Sequence, residues 1–140
     1  MMQSSAATFP AFEVMKRRPG SVDLFAFTAC IGVAHRIHYD QEYSREREGH
    51  PNIVVPGPLQ ASYICQTVRR WMRSAGIDGR IASLKYRHRK PVYVDSDLEI
   101  SGDVTAVDEE SGRVVCSVWT RVAGEDGPAT EGEAVIALRR

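Results

Sequence analysis

The apolar positions of residues 57–76 follow the period of an α-helix, because they recur at spacings of three and four residues. The stripe consists of Ala61, Ile64, Cys65, Val68, Trp71, Met72 and Ala75. Pro58 suits the first helical turn, and Gly76 is a typical C-terminal stop. A helix with so wide an apolar surface is predicted to be a central element of the core.

The pattern changes to alternation after Gly79, which is typical of β-strands. The predicted strands cover residues 81–89, 92–107, 114–122 and 134–138, with turns at 110–112 and 124–128 and a short earlier strand at 12–15. A single layer of strands needs an apolar element to cover it. We therefore predict an α+β fold, in which an antiparallel sheet wraps around one long central helix. The remaining edges of such a wrap favour a dimer.

The first part of the chain is less regular. Residues 1–10 are predicted to be a flexible N-terminal tail, and residues 11–140 one domain. A helix is expected over residues 24–33, with Ser21 as its N-cap and Gly32 at its end. Residues 34–56 predict an ordered excursion with a short helix over 41–48.

Composition narrows the functional classes. Lys plus Arg and Asp plus Glu both number 18, so a zero net charge argues against nucleic-acid binding driven by bulk charge. Cys30, Cys65 and Cys116 are far apart in apolar stretches, which favours buried, reduced thiols. No signal peptide and no membrane-spanning run is recognised, so a cytoplasmic protein without membrane or nucleic-acid partners is expected. No metal-ligand spacing occurs, and no metal or cofactor is expected.

The densest polar cluster lies just before the central helix. It contains His35, Arg36, His38, Tyr39 and Asp40 within six residues. Histidine exchanges protons near neutral pH, so the cluster is a candidate for general acid–base chemistry. The alternative is that these side chains fasten the excursion by hydrogen bonds.

Two members of the cluster have competing structural roles. Asp40 precedes the predicted short helix and suits its N-cap better than it suits catalysis. Arg36 is expected to pair with a carboxylate such as Glu46 or Glu48, or to pack its stem on the sheet. The alternative is that it binds a carboxylate on a substrate.

A basic run covers residues 85–90. On a strand, Lys85, Arg87 and Arg89 share one face, whereas Tyr86, His88 and Lys90 share the other. Arg87 and Arg89 are candidates for binding the phosphates of a ligand or the acidic surface of a partner protein. The alternative is a solvated edge strand that discourages aggregation.

Three segments of the chain resemble the MaoC-like acyl dehydratases of the hotdog fold. They are the stretch from His35 to Asp40, the following Val54-Val55-Pro56-Gly57-Pro58-Leu59 and the later stretch from Tyr86 to Tyr93. The resemblance is closest to the branch that includes mesaconyl-CoA hydratase, and it extends over residues 12–138. It implies reversible hydration of a 2-enoyl thioester of coenzyme A or acyl carrier protein. It also implies that His38 is the catalytic histidine and that the helix start at Gly57 polarises the thioester carbonyl.

The sequence departs from the family pattern at three positions. The acidic or amide residue of the family's dyad falls on Val33, an asparagine near the histidine falls on His35, and a histidine before the helix glycine falls on Pro56. Valine transfers no proton, so the dyad is degenerate.

Three functions therefore remain open. The first is a hydratase in which His38 works with His35, Tyr39 or Asp40, with Arg36 and Tyr39 also candidates for substrate binding. The resemblance implies that Arg36 would bind a carboxylate on the acyl group, and that Arg87 and Arg89 would bind the phosphates of coenzyme A or the acidic surface of a carrier protein. The second is a non-catalytic partner subunit of a heteromeric dehydratase, and the third is a thioester-binding module. A thioesterase is disfavoured, because residues 57–76 contain no Asp or Glu.

Overall fold

The computed structural model describes residues 9–139. These residues form a five-stranded sheet and three α-helices. The strands are β1 (Met15–Arg17), β2 (Gly79–His88), β3 (Leu98–Asp108), β4 (Arg113–Val122) and β5 (Thr130–Leu138). The helices are α1 (Ser21–Ile31), α2 (Gln41–Glu46) and α3 (Gly57–Ser74), and a single 3₁₀ turn covers Arg36–His38.

The sheet is antiparallel at every pairing, and its strand order is β1-β3-β4-β5-β2. Helix α3 contacts β2 at one edge and both β3 and β4 towards the other, so the sheet curves around it. Ile64 and Val68 of α3 are fully buried, and Val114, Cys116 and Val118 alternate into the same core from β4. The predicted α+β fold, with a sheet wrapped around one long helix, is confirmed.

The predicted strand over residues 92–107 is wrong in its first part, because β3 begins at Leu98. Val92 is nonetheless 1% exposed. The segment before β3 instead pairs with the chain that leads into α3: Val55 N–H donates to Val92 O (2.8 Å), and Val94 N–H donates to Ile53 O (3.0 Å). The apolar residues before β3 therefore reach the core from an irregular segment. An alternating sequence pattern does not distinguish such a segment from a strand.

Helix α1 differs from its prediction at its start. Gly20 is the N-cap in place of Ser21, and its N–H donates to Asp23 Oδ2 at 2.8 Å. Gly32 ends the helix with a φ of 69°, as expected of a left-handed C-cap. Only Leu24 and Thr28 of this helix are buried.

The three cysteines differ in how deeply they are buried. Cys116 is buried, Cys65 is intermediate and Cys30 is exposed on α1, so the prediction that all three are buried is confirmed only for Cys116. Helix α1 presents one narrow stripe to the core, and Cys30 lies outside that stripe. No helix within residues 9–139 is both long and apolar enough to cross a bilayer.

The predicted tail is anchored where the structure describes it. Trp71 Nε1–H of α3 donates to Pro10 O at 2.8 Å, and the rings of Phe9 and Phe12 pack against the Trp71 indole. The rest of the predicted tail, residues 1–8, lies outside the described residues.

Candidate active site

A cavity of about 330 Å³ opens at the N-terminal end of α3. Its walls come from the 3₁₀ turn, the segment before α3, the start of α3, and the end of β2 with the residues after it. The lining residues are His38, Val54, Val55, Gly57, Gln60, His88, Arg89, Lys90, Pro91 and Val92. Two imidazoles from distant parts of the sequence therefore share one cavity with the start of the central helix.

His38 is fixed by one hydrogen bond to the backbone. Its Nδ1 lies 2.7 Å from Val54 O. A carbonyl oxygen only accepts, so Nδ1 carries the hydrogen and Nε2 of the neutral ring keeps its lone pair. Burial lowers the pKa of His38, with a smaller contribution from the neighbouring His35. The imidazole is therefore neutral at pH 7 and suited to accept a proton at Nε2.

His88 is fixed by a side-chain network. It pairs with Thr130 across β2 and β5, and its Nδ1 lies 2.8 Å from Thr130 Oγ1. The hydroxyls of Thr130 and Thr120 both donate to Gln60 Oε1, at 2.9 and 2.8 Å. Both threonines are fully buried and Gln60 is 2% exposed. The network connects α3 to two neighbouring strands beneath the imidazole.

The prediction of site residues missed His88. The alternation of the basic run predicts that His88 lies on the face of the strand opposite Arg87 and Arg89. That placement was the one feature of the sequence that set His88 apart from the two arginines. Nothing in the sequence indicated that this face of β2 ends beside the start of α3. Gln60 was also missed, since a single glutamine on a long helix resembles any other polar position.

Gly57 leaves the space that the His88 ring occupies. A Cβ on residue 57 would lie 2.9 Å from His88 Cε1 and closer still to Nε2, well inside normal contact. Among the described residues, none accepts the N–H of Gly57. Pro58 has no N–H, and the N–H of Leu59 donates to Pro56 O at 3.0 Å. Gly57 therefore presents a donor at the positive end of the α3 dipole.

The other members of the polar cluster hold the local structure together. Asp40 caps α2 by accepting from Tyr43 N–H at 3.0 Å, and it also pairs with Arg36 Nη2 at 2.6 Å. The hydrogen bond from Tyr43 and the guanidinium of Arg36 hold the pKa of Asp40 below its usual value. The capping alternative for Asp40 is therefore confirmed. The predicted pairing of Arg36 with a carboxylate is confirmed, but its partner is Asp40, four residues along the chain, rather than Glu46 or Glu48.

His35 and Tyr39 lie outside the cavity lining. His35 Nδ1 accepts from Ile37 N–H at 3.3 Å, and its ring centroid is 6.0 Å from that of His38. Tyr39 O–H donates to Ala34 O at 2.9 Å. Val33 borders a separate hollow with Phe25 and Tyr39, so it does not face His38 within this chain.

The basic run is partly neutralised. Arg89 pairs with Glu131 and Lys90 with Glu125, and both basic residues line the cavity. Arg87 lines a different groove of about 730 Å³, together with Lys85 and Trp119, on the sheet. The two arginines predicted to bind substrate therefore lie at two different openings.

The comparisons identify the family. The family model of hydroxyacyl-thioester dehydratase type 2 matches residues 2–94. The chain is 48% identical over 70 residues to mesaconyl-C(4)-CoA hydratase of Chloroflexus aurantiacus, a match that covers 50% of this chain and 23% of that protein. The chain is thus about half as long as that relative.

Solved structures confirm the fold. The (R)-hydratase from A. caviae involved in PHA biosynthesis superposes with a TM-score of 0.80 at 20% identity, covering 94% of this chain and 98% of that one. A chain of the ChsH1–ChsH2 complex from Mycobacterium tuberculosis gives 0.80 at 19% identity, covering 99% and 100%. The fold is the predicted hotdog, and the chain belongs to the hydroxyacyl-thioester dehydratase type 2 family.

Proposed function

We propose that this chain catalyses the reversible hydration of a 2-enoyl thioester to a 3-hydroxyacyl thioester, with the acyl group on coenzyme A or an acyl carrier protein. Family membership and the mesaconyl-C(4)-CoA hydratase relative support this reaction class. The reaction adds a hydroxyl to C3 and a proton to C2. It involves no net redox change, so we propose no cofactor beyond the thioester carrier.

The observation that carries the proposal is the pairing of His38 with Gly57 in one cavity. The neutral imidazole of His38, fixed through Nδ1, offers Nε2 to take a proton from the attacking water. The free N–H of Gly57 and the α3 dipole stabilise the negative charge that develops on the thioester oxygen. Val54, Val55 and Val92 form an apolar wall for the acyl group.

The thioester carrier would extend from the cavity to the separate groove that Lys85 and Arg87 line. Arg89 and Lys90 line the cavity but are paired with glutamates, whereas Arg87 and Lys85 form no ion pair among the described residues. We propose that Arg87 meets the phosphates of the carrier. Substituting Arg87 should therefore raise the KM for a coenzyme A substrate and leave kcat within about threefold.

A hydration assay on the purified chain tests the proposal. Loss of the conjugated enoyl-thioester absorbance is followed with short, long and dicarboxylic enoyl-CoA substrates. His38→Ala should lower turnover by at least about 100-fold. His50→Ala is the matched control, because His50 lies beside Tyr93 and outside the cavity lining. Turnover that survives His38→Ala would refute the role of His38.

The second candidate function is a non-catalytic partner subunit in a heterodimer with another hotdog chain. The observation that favours it is Val33, which is apolar and outside the cavity. The exposed apolar residues of α1, Val22 at 77% and Phe25 at 60%, also favour a paired chain, either a second copy or a different one. A folded chain that is inactive alone and active only with an added hotdog chain, with no effect of His38→Ala, would establish this function instead.

A further inference from the structure

We infer that His88 is a second catalytic residue, and that it exchanges the proton at C2 of the acyl thioester. This inference rests on the proposed hydratase function and extends it. The observation that supports it is that His88 Nε2 occupies the space directly against Gly57, in the cavity that His38 also lines.

Position assigns the two imidazoles to different carbons. The thioester oxygen, bound at the N–H of Gly57, is attached to C1, and C2 is the next carbon. We therefore assign the imidazole that lies against Gly57 to C2. His38, which is held by Val54 O in the same cavity, is then assigned to C3 and its water.

The hydrogen bonds around Thr130 determine which ring nitrogen of His88 carries the hydrogen. The hydroxyl of Thr130 has one hydrogen, which it donates to Gln60 Oε1. It can therefore only accept from His88 Nδ1, so Nδ1 carries a hydrogen and Nε2 is the atom that gains or loses the catalytic proton. Thr130 and Gln60 are positioning residues, since they hold the ring without reaching the substrate.

The solvent exposure of His38 and His88 differs, and it assigns the two imidazoles different roles in proton transfer. His38 is half-buried and held neutral, which suits a base. His88 is solvent-exposed, so it exchanges protons directly with water between turnovers. In hydration, His38 Nε2 takes one proton from water while the remaining hydroxide forms the C3–O bond. The C2–C3 π electrons pass to C2 and take the proton of protonated His88 Nε2, and both rings then return to their starting states through solvent.

The remaining polar groups near His38 are already committed. Asp40 is paired with Arg36 and caps α2, and Tyr39 O–H donates to Ala34. Neither lines the cavity, nor does His35. Among the described cavity residues, Arg89 is committed to an ion pair with Glu131 and Lys90 to one with Glu125. His88 Nε2 is thus the ring atom beside Gly57 that none of these contacts occupies.

Exchange at C2 isolates the step assigned to His88. Butyryl-CoA has no double bond and no C3 hydroxyl, so its C2 hydrogens exchange with deuterium oxide through C2 proton transfer alone. We expect His88→Gln to lower this exchange and crotonyl-CoA hydration by at least about 100-fold, with KM within about threefold. His38→Gln should lower hydration as strongly but leave the exchange within about fivefold, and His50→Gln should change neither.

The outcomes separate the two hypotheses. A wild-type chain that hydrates crotonyl-CoA while His88→Gln retains both activities refutes the role of His88 and leaves the proposed function intact. A wild-type chain with no hydration refutes the proposed function, and imidazole ¹⁵N NMR then decides on His88. Added crotonyl-CoA should shift the Nε2 resonances of both His38 and His88; an unmoved His88 resonance would refute the inference.

The positioning role of Thr130 has its own readout. Thr130→Val removes the acceptor of His88 Nδ1–H, and we expect kcat to fall about tenfold with an unchanged KM. The same variant should shift the ¹⁵N spectrum of His88 towards a mixture of tautomers. Thr130→Ser keeps the hydroxyl and should restore both; a valine variant with wild-type kcat and spectrum would contradict this role.

Discussion

The space at Gly57 makes a sharp prediction for Gly57→Ala. The added methyl would lie 2.9 Å from His88 Cε1, where ordinary contact begins near 3.4 Å, and Nε2 is closer still. The ring must therefore move by on the order of 1 Å, which is enough to lower an activity about 100-fold when it displaces a reacting group. The obstructing atoms belong to the end of a flexible side chain, so the backbone does not need to move.

Two opposing terms keep the fold of Gly57→Ala stable. Replacing glycine by alanine in a helix gains up to about 1 kcal/mol. Losing the His88–Thr130 hydrogen bond costs about 1 kcal/mol. The free energy of unfolding should therefore change by less than about 1 kcal/mol, as measured by urea denaturation.

The assay combines stability with kinetics. Gly57→Ala should lower kcat for crotonyl-CoA hydration about 100-fold, and adding His88→Gln should lower it little further, because both changes act through the same ring. Gly20→Ala is the matched control, since a methyl there meets only ordinary contacts of 3.6 and 3.7 Å. A Gly57→Ala enzyme within threefold of wild type, or a double variant whose losses multiply in full, would refute the reasoning.

Three further predictions concern the fold. Because burial lowers the pKa of His38, the unfolded chain binds the proton more tightly; the folded state should lose stability as the pH falls through about 6.5, and His38→Gln should flatten that loss in unfolding curves measured from pH 7.5 to 5. Leu24→Ala should cost about 2–5 kcal/mol in urea unfolding, since Leu24 is the fully buried residue that anchors α1 to the core, and a cost below about 1 kcal/mol would contradict its anchoring role. Cys30 should react with a thiol reagent under native conditions much faster than Cys116, whose burial raises its pKa to about 12; equal rates would show that the core is open.

Much of the fold could be predicted because its signals are local. The periodicity of residues 57–76 gave α3 within about two residues of its end, and the glycine signals gave both turns between the last strands. The crossing before β3 was misassigned because Val92 and Val94 are apolar for a tertiary reason. They pair with the segment leading into α3 rather than extending β3.

Some residues of the candidate site could also be predicted from local signals, and others could not. His38 and Gly57 were identified because they lie in a compact stretch whose residue types and helix start are visible in the sequence. His35, Tyr39 and Asp40 were included with them because they are neighbours in the chain. The structure shows that their polar atoms serve the turn and the cap of α2 rather than the cavity.

The sequence by itself determined the long apolar helix, the alternating strands around it, the candidate histidine and the glycine at the helix start. These features depend on periodicity and on residues close together along the chain. Only the tertiary structure decided that His88, on a strand 31 positions after Gly57, meets the start of α3. The physical reason is that the antiparallel register sets His88 opposite Thr130, while Gln60 joins that pair to the helix, and neither contact leaves a pattern in the local sequence.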